Sequence, residues 1–258
     1  MKKVPLAEGL PQQAAGPLRI FIADLHLDGL DSERSRNFRT LLERLAVTAA
    51  ERPVELFILG DLFQFWYEYR SALFELYRAD LEALEKASKA GVRIGLLHGN
   101  RDFAYGGYVR KRFNAEILGD GAALTLNDGR PAWLEHGDLL CTSDTRYLRF
   151  RSIIRSFPVR MMFFLMPWAL ARSMIEKIRR KTSADKILKD VKSLSIDLPA
   201  ARRRCEATGT RVLLCGHTHT ALSEDLGAGY RLIVLPPWCE TPAGYVDDGA
   251  LKPFSLQS

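Results

Sequence analysis

The sequence predicts an α/β fold with a parallel or mixed sheet, more strands further along the chain, and a late helical insertion. Two observations carry this. Short apolar runs alternate with stretches of helical periodicity through the N-terminal part of the chain. All five histidines, with several aspartates and one asparagine, directly follow such runs. They therefore fall at the carboxyl ends of predicted strands, where open α/β sheets build their sites.

Leu18 to Ala23 is an apolar run ending in Asp24 and reads as a buried strand. Ser32 to Ala50 places Phe38, Leu41, Leu42 and Leu45 at helical spacing, with Ser32 as the N-cap. Val54 to Leu59 is the second strand and leads into Gly60-Asp61. Ser71 to Ala90 reads as one helix closed by Gly91. Val92 to Leu97 is the third strand, leading into His98-Gly99-Asn100. A β-α-β-α-β order implies right-handed crossovers. Ala122 to Leu126 and Pro131 to Glu135 flank Asn127-Asp128-Gly129, a hairpin signal, and His136 follows directly. The region from about Ser143 to Thr208 has helical character and reads as an inserted lid. Arg211 to Cys215 feeds Gly216-His217-Thr218-His219, and Arg231 to Leu235 closes the pattern.

The 258 residues suit one domain, 18–258, carrying its lid at about 143–208, and 47% hydrophobic residues supply a full core. Residues 1–17, rich in Pro, Gln, Ala and Gly, read as a loose tail. No apolar stretch follows Lys2 and Lys3 as a secretion signal would require, and no run is long enough to span a bilayer. Cys141, Cys205, Cys215 and Cys239 are dispersed without a C-x-x-C pair, which favours a reduced, cytosolic protein. The net charge of +6 is uneven. Between Arg146 and Arg204 stand 16 Lys or Arg against 4 Asp or Glu. A basic segment on an otherwise acidic body suggests an anionic partner.

Asp24-x-His26, Gly60-Asp61, Gly99-Asn100, His136-Gly137 and Gly216-His217-x-His219 occur in that order. Any one of them is weak evidence. Five in sequence, each after a strand, resemble the calcineurin-like metallophosphoesterase superfamily from Leu18 to about Trp238. The resemblance implies a two-sheet α/β/β/α sandwich. It also implies one metal held by Asp24, His26, Asp61 and His219, and a second held by Asp61, Asn100, His136 and His217, with Asp61 shared. The residue types fit that chemistry. Two cations about 3.5–4 Å apart need a common anionic ligand, which a carboxylate can be and an imidazole cannot. Several imidazoles and few carboxylates suit Mn, Fe or Zn better than Mg, which prefers oxygen and water. A hydroxide between such cations attacks phosphorus in line. His98, Asp102 and Asp138 are expected to orient the ligands.

Many superfamily members place a proton-donating histidine after the asparagine. Here Arg101 stands there. Arginine stays charged and cannot be a general acid at neutral pH, but it can hold a phosphate oxygen. That favours a phosphoanhydride, whose phosphate leaving group needs no proton. His98 to Phe103, then His136-Gly137-Asp138, Leu140-Cys141-Thr142, Asp144, Tyr147, Phe150 and Arg151, together with Trp66, resemble one branch closely. That branch is the UDP-2,3-diacylglucosamine pyrophosphohydrolases of lipid A biosynthesis. It implies release of UMP, two divalent ions (typically Mn²⁺), catalytic roles for Asp61 and Arg101, and substrate contacts from Asn100, Arg101, Asp144, Tyr147, Lys186 and His217. The block from Arg160 to Arg172, RMMFFLMPWALAR, fits either an interfacial anchor or the wall of an acyl-chain pocket. The expected partners are a lipid-linked UDP-sugar and the cytoplasmic face of a Gram-negative-type inner membrane, touched peripherally by a monomer. Nucleic acid is not expected. A phosphodiesterase acting on it, or a relative acting on another lipid-linked or nucleotide diphosphate, is the alternative.

Overall fold

The computed structural model describes residues 16–68, 71–171, 173–174, 177, 195–238 and 242–256. Lys186, Arg172, Arg179, Arg180, Lys181, Cys239 and the tail before residue 16 lie outside that set. Strands β1 (Leu18–Ile22), β2 (Val54–Ile58) and β3 (Val92–Leu97) pair in parallel. Helix α1 (Glu33–Ala49) lies between the first two strands, and α2 (Ser71–Leu76) and α3 (Arg78–Lys89) lie between the second and third. Ser32 caps α1, its side chain accepting from the Ser35 N–H. The single helix predicted from Ser71 to Ala90 is divided at Tyr77, where the backbone leaves helical geometry (φ −100°, ψ 17°). The Tyr77 ring packs 4.5 Å from that of Phe63, two residues beyond Asp61. The Tyr77 N–H still donates to the Leu73 carbonyl and the Leu81 N–H to the Tyr77 carbonyl, on either side of the break.

Several elements were not legible. Helix α4 (Gly107–Phe113) leads into β4 (Glu116–Gly119), which lies parallel to β3. A single residue, Asp120, then separates β4 from β5 (Gly121–Thr125), the first strand of a second sheet. β5 pairs antiparallel with β6 (Pro131–Glu135), as the Asn-Asp-Gly signal predicted. β6, β7 (Val212–Cys215) and β9 (Tyr230–Val234) then run parallel, with β8 (Leu222–Gly227) antiparallel at the edge. Contrary to expectation, the pattern does not close at Leu235. β10 (Ala243–Asp247) returns antiparallel beside β1, and β11 (Leu251–Ser255) pairs outside it. Pro253 and the half-exposed side of β11 weaken any strand signal there.

The six-stranded sheet has the order β11-β10-β1-β2-β3-β4 and the five-stranded one β5-β6-β7-β9-β8. Phe21, Leu59 and Leu97 from the first meet Leu134, Leu214 and Leu235 from the second. Leu41, Leu45, Leu81 and Leu84 of α1 and α3 cover the outer face of the first sheet. Ala201 and Cys205 of α7 (Leu198–Thr208) cover that of the second, against Leu213 and Leu232. The result is a four-layer α/β/β/α sandwich, and the loops carrying the predicted ligands gather at one end of both sheets.

Helices α5 (Thr145–Ile154) and α6 (Phe157–Leu165) begin the insertion. α6 stops at Met166, whose extended backbone (ψ 138°) is what the following Pro167 demands. Ile153, Phe157, Leu165 and Leu170 are each more than half exposed. The Tyr67 hydroxyl donates to the Arg160 carbonyl (2.6 Å) and ties α6 to the body.

Candidate metal centre

Five of the seven predicted ligands hold backbone conformations that side-chain-bearing residues rarely adopt. Asp24 (φ 56°), His26 (49°), Asp61 (55°), His217 (76°) and His219 (58°) are all left-handed. Such strain persists only where the surroundings over-determine it, and it concentrates at functional sites. The surroundings here are two loops that meet edge to edge. The Asp24 and His26 N–H groups donate to the Gly60 and Asp61 carbonyls, and the His217 N–H donates to Asp24 Oδ2 (2.7 Å).

Two glycines make the approach possible. A Cβ on Gly60 would lie 2.7 Å from the His136 Nδ1 atom, and one on Gly99 would lie 2.2 Å from the Asp61 amide nitrogen and Oδ1. Gly99→Ala therefore forces the Asn100 turn away from Asp61. The expected cost is about 1–3 kcal/mol of stability from overpacking, with a larger loss of metal uptake, read by denaturation and by Mn²⁺ titration of the folded variant.

The side chains converge. Asp24, His26 and His219 can reach one ion, and Asp24, Asp61 and His136 can reach another. His26 Nε2 lies 3.1 Å from His219 Nε2, and His219 Nε2 lies 3.5 Å from Asp24 Oδ1. His217 Nδ1 lies 3.2 Å from His136 Nε2. Asp61 stands between the groups, 3.6 Å from His26 Nδ1 on one side and 3.9 Å from His136 Nε2 on the other. Asp24 also belongs to both groupings, a sharing the sequence did not suggest. Asp24 Oδ1, His26 Nδ1 and Asn100 Oδ1 are buried without a hydrogen-bond partner. Orphaned buried acceptors of this kind are costly unless an ion takes them. The donor set, imidazole and carboxyl oxygen with one amide, fits two divalent cations.

The electrostatics agree. Burial pushes the Asp61 carboxyl up to about 7, with the neighbouring Asp102 and Asp24 adding to the rise. Burial also disfavours the Asp24 carboxylate, but the close approach of His219 and the fields of His136, His219 and His26 outweigh that and hold it low. Burial and the Arg101 charge hold His26 far below the usual imidazole range, so its ring is neutral and keeps a lone pair. His136 is raised, because Asp61, Asp24 and Asp138 outweigh its burial. Its Nδ1 faces the Leu59 carbonyl at 2.9 Å. A carbonyl can only accept, so Nδ1 carries the proton and the Nε2 lone pair of the neutral ring turns to the site.

Asp102 is wholly buried and accepts from the Asp61 N–H (3.0 Å), the Phe63 N–H, the Gly99 N–H and the Tyr105 hydroxyl. It thus shapes both ligand turns, as expected of an orienter. Arg101 does not pair with it. The Arg101 N–H donates to Asp61 Oδ1 (3.0 Å), its Nε lies 3.5 Å from Asp61 Oδ2, and its Nη1 donates to Gln64, which nothing in the sequence singled out. Asp138 accepts from the Tyr147 hydroxyl and Arg151. The Tyr147 ring lies 6.1 Å from that of His217. Asp144 caps α5 by accepting from the Tyr147 N–H. His98 faces Asp120 at 3.6 Å rather than a predicted ligand.

Among known proteins, the Calcineurin-like phosphoesterase family profile matches residues 19–221. A UDP-2,3-diacylglucosamine hydrolase of Haemophilus influenzae (strain PittGG) is 33% identical over 220 residues, 84% of this chain and 89% of its own. One of Cellvibrio japonicus (strain Ueda107) is 33% identical over 222 residues, 85% of this chain and 90% of its own. A dimetal phosphatase from Danio rerio superposes with a TM-score of 0.47 at 13% identity, over 93% of this chain and 98% of that one. The sandwich, the histidine and aspartate groupings at its loop end, and the span of the profile match agree: the chain belongs to the calcineurin-like phosphoesterase family.

Proposed function

We propose that the chain hydrolyses the pyrophosphate bond of UDP-2,3-diacylglucosamine, releasing UMP and 2,3-diacylglucosamine 1-phosphate. The observation that carries this reading is Arg101 held against Asp61 Oδ2, a fixed cation where a proton donor would serve an alkyl ester. The two relatives described above carry the name UDP-2,3-diacylglucosamine hydrolase, and that likeness supports it. In this reading Asp24, His26, Asp61 and His219 hold one ion, while Asp61, Asn100, His136 and His217 hold the other, with Mn²⁺ the favoured metal over Fe or Zn. When bound, such a pair lowers the pKa of water and stabilises charge on a phosphoryl oxygen.

The residues of the chain do the rest. Asp61 spans the two groupings and fixes their spacing. His136 keeps its lone pair inward through the Leu59 carbonyl. Arg101 binds a non-bridging oxygen of the uridine-linked phosphate and offsets charge that grows there. A water oxygen bonds to that phosphorus, giving up a proton to solvent, as the bond to the bridging oxygen breaks, and the sugar phosphate departs without a proton, since phosphate has a second pKa of about 6. Tyr147 and His217, side by side, and Asp144 line the approach, and Lys186 is assigned a phosphate or sugar contact. The exposed apolar side chains of α5 and α6 would meet acyl chains or the cytoplasmic surface of the inner membrane. No helix among the described residues is long and apolar enough to cross a membrane, and a peripheral monomer is the matching assembly.

A panel with Mn²⁺ tests this. It compares UDP-2,3-diacylglucosamine, UDP-N-acetylglucosamine, an aryl phosphodiester and single-stranded DNA. UMP released only from the acylated substrate is the expected result, and cleavage of DNA alone would replace the proposal with a nucleic-acid phosphodiesterase. Arg101→Ala should lower kcat by about 10²–10³ while two ions still bind.

A further inference from the structure

The start of the lid is fastened to the ligand loops by one stripe of α5. Tyr147, Arg151 and the C-cap residue Arg155 are spaced four apart and share a helix face. Arg151 Nε donates to Asp138 Oδ2 (2.7 Å), two residues beyond His136, and its Nη2 lies 3.0 Å from Asp120 Oδ1. Arg155 Nη1 donates to the same Asp120 oxygen, and its Nη2 donates to the Gly99 carbonyl (2.6 Å), the peptide oxygen that precedes Asn100. Its guanidinium also lies over the Phe103 ring, 4.9 Å from the centroid. Asp120 is the single residue between β4 and β5, where the chain first passes from one sheet to the other.

These contacts have a direction. Asn100 comes from the first sheet and His136 from the second, and the strands leading to them are joined through Gly119-Asp120-Gly121, where Gly119 accepts from the His98 N–H and Gly121 pairs with Glu135. Arg155 grips the first loop, Arg151 the second, and Asp120 locks the arginines together at the seam. Both guanidinium-bearing side chains are largely buried, 12% and 14% exposed, whereas Asp120 is half exposed. An exposed ion pair alone contributes little. The Arg155 bond to a backbone carbonyl of a ligand turn is a different matter, because it acts on geometry.

We infer that Arg155, acting with Arg151 through Asp120, is a positioning residue that sets the second metal's ligands, Asn100 and His136, and so makes the affinity of that ion depend on how the lid helix is seated. This rests on the two-ion reading above. The ion assigned to Asp24, His26, Asp61 and His219 takes no ligand from the Asn100 or His136 turns and shares only Asp61 with the second, so the effect falls mainly on the second ion. Partners that orient ligands from outside typically change metal affinity 10–100-fold.

The test is Mn²⁺ titration of the metal-free full chain by calorimetry, with electron paramagnetic resonance to distinguish an exchange-coupled ion pair from isolated ions. Wild type is compared with Arg155→Met and Arg155→Lys. Lysine keeps a charge for Asp120 but lacks the planar fork that lets arginine hold Asp120 and the Gly99 carbonyl from separate nitrogens, and it serves as the test if the methionine variant fails to fold. The expected result is a first ion bound as in wild type, a second weakened by about 10–100-fold, and loss of the coupled signal at ion concentrations that saturate wild type. Two ions bound with wild-type affinities, or both weakened equally, would overturn the inference and leave the two-ion reading standing. Fewer than two ions in wild type would instead remove that reading, and the inference with it.

Discussion

Asp61→Asn is expected to lower kcat/KM by more than about a thousandfold, a loss of about 4 kcal/mol of transition-state stabilisation, and to abolish binding of one ion. The amide keeps the shape of the side chain but cannot supply the negative charge that two adjacent cations share. The same variant predicts a second, opposite effect in metal-free protein. Burial raises the Asp61 carboxyl to about 7 in the folded state, from an ordinary value of 3.8. The folded state therefore holds a proton that the unfolded state has already released, and wild type loses stability as pH rises from about 4 through 7. Asparagine, neutral throughout, does not pay that charge penalty. The stability of metal-free Asp61→Asn relative to wild type should thus climb over that interval, and added Mn²⁺ should reverse the order. Denaturant titrations across the range measure it. A pH-independent difference would show that Asp61 is not a buried charge awaiting a cation.

The largest expected effect on folding belongs to Asp102. Its carboxylate accepts three backbone N–H groups and one hydroxyl with no exposure to solvent. Asp102→Ala leaves those donors buried and unsatisfied, for an expected loss of about 3–5 kcal/mol. Two of the donors belong to Asp61 and Gly99, so metal uptake should fail even in protein kept folded by lower temperature. Asp102→Asn retains one acceptor oxygen and should fall between. Stability within about 1 kcal/mol of wild type for Asp102→Ala would mean the two turns are held by something else.

How much of this could be read in the chain depends on how local the signal was. Asp24, His26, Asp61, His136, His217 and His219 each come shortly after a strand, and the sheets carry those six side chains close together. β1, β2 and β3 were legible because they are buried apolar runs bounded by turns. β8 was not, since its alternation of half-exposed polar residues leaves little apolar signal. β10 and β11 lacked flanking helices to mark them. The left-handed backbone at Asp24, His26, Asp61, His217 and His219 has only a weak residue-type signature, since Asp and His enter that region more readily than most residues but glycine is the only strong marker. The clamp from Arg155 to Gly99 spans 56 positions and involves a backbone oxygen, so no motif announces it. Gln64, which holds the Arg101 side chain, is equally silent in the sequence.

The account turns on two cations seated side by side with Asp61 between them. Crystals of the full chain grown with Mn²⁺ and measured at the manganese absorption edge answer this directly. The prediction is two anomalous peaks about 3.5–4 Å apart, with an Asp61 oxygen facing each, Asp24, His26 and His219 around one, and Asn100, His136 and His217 around the other. A single peak, or two peaks that do not both touch Asp61, would contradict it.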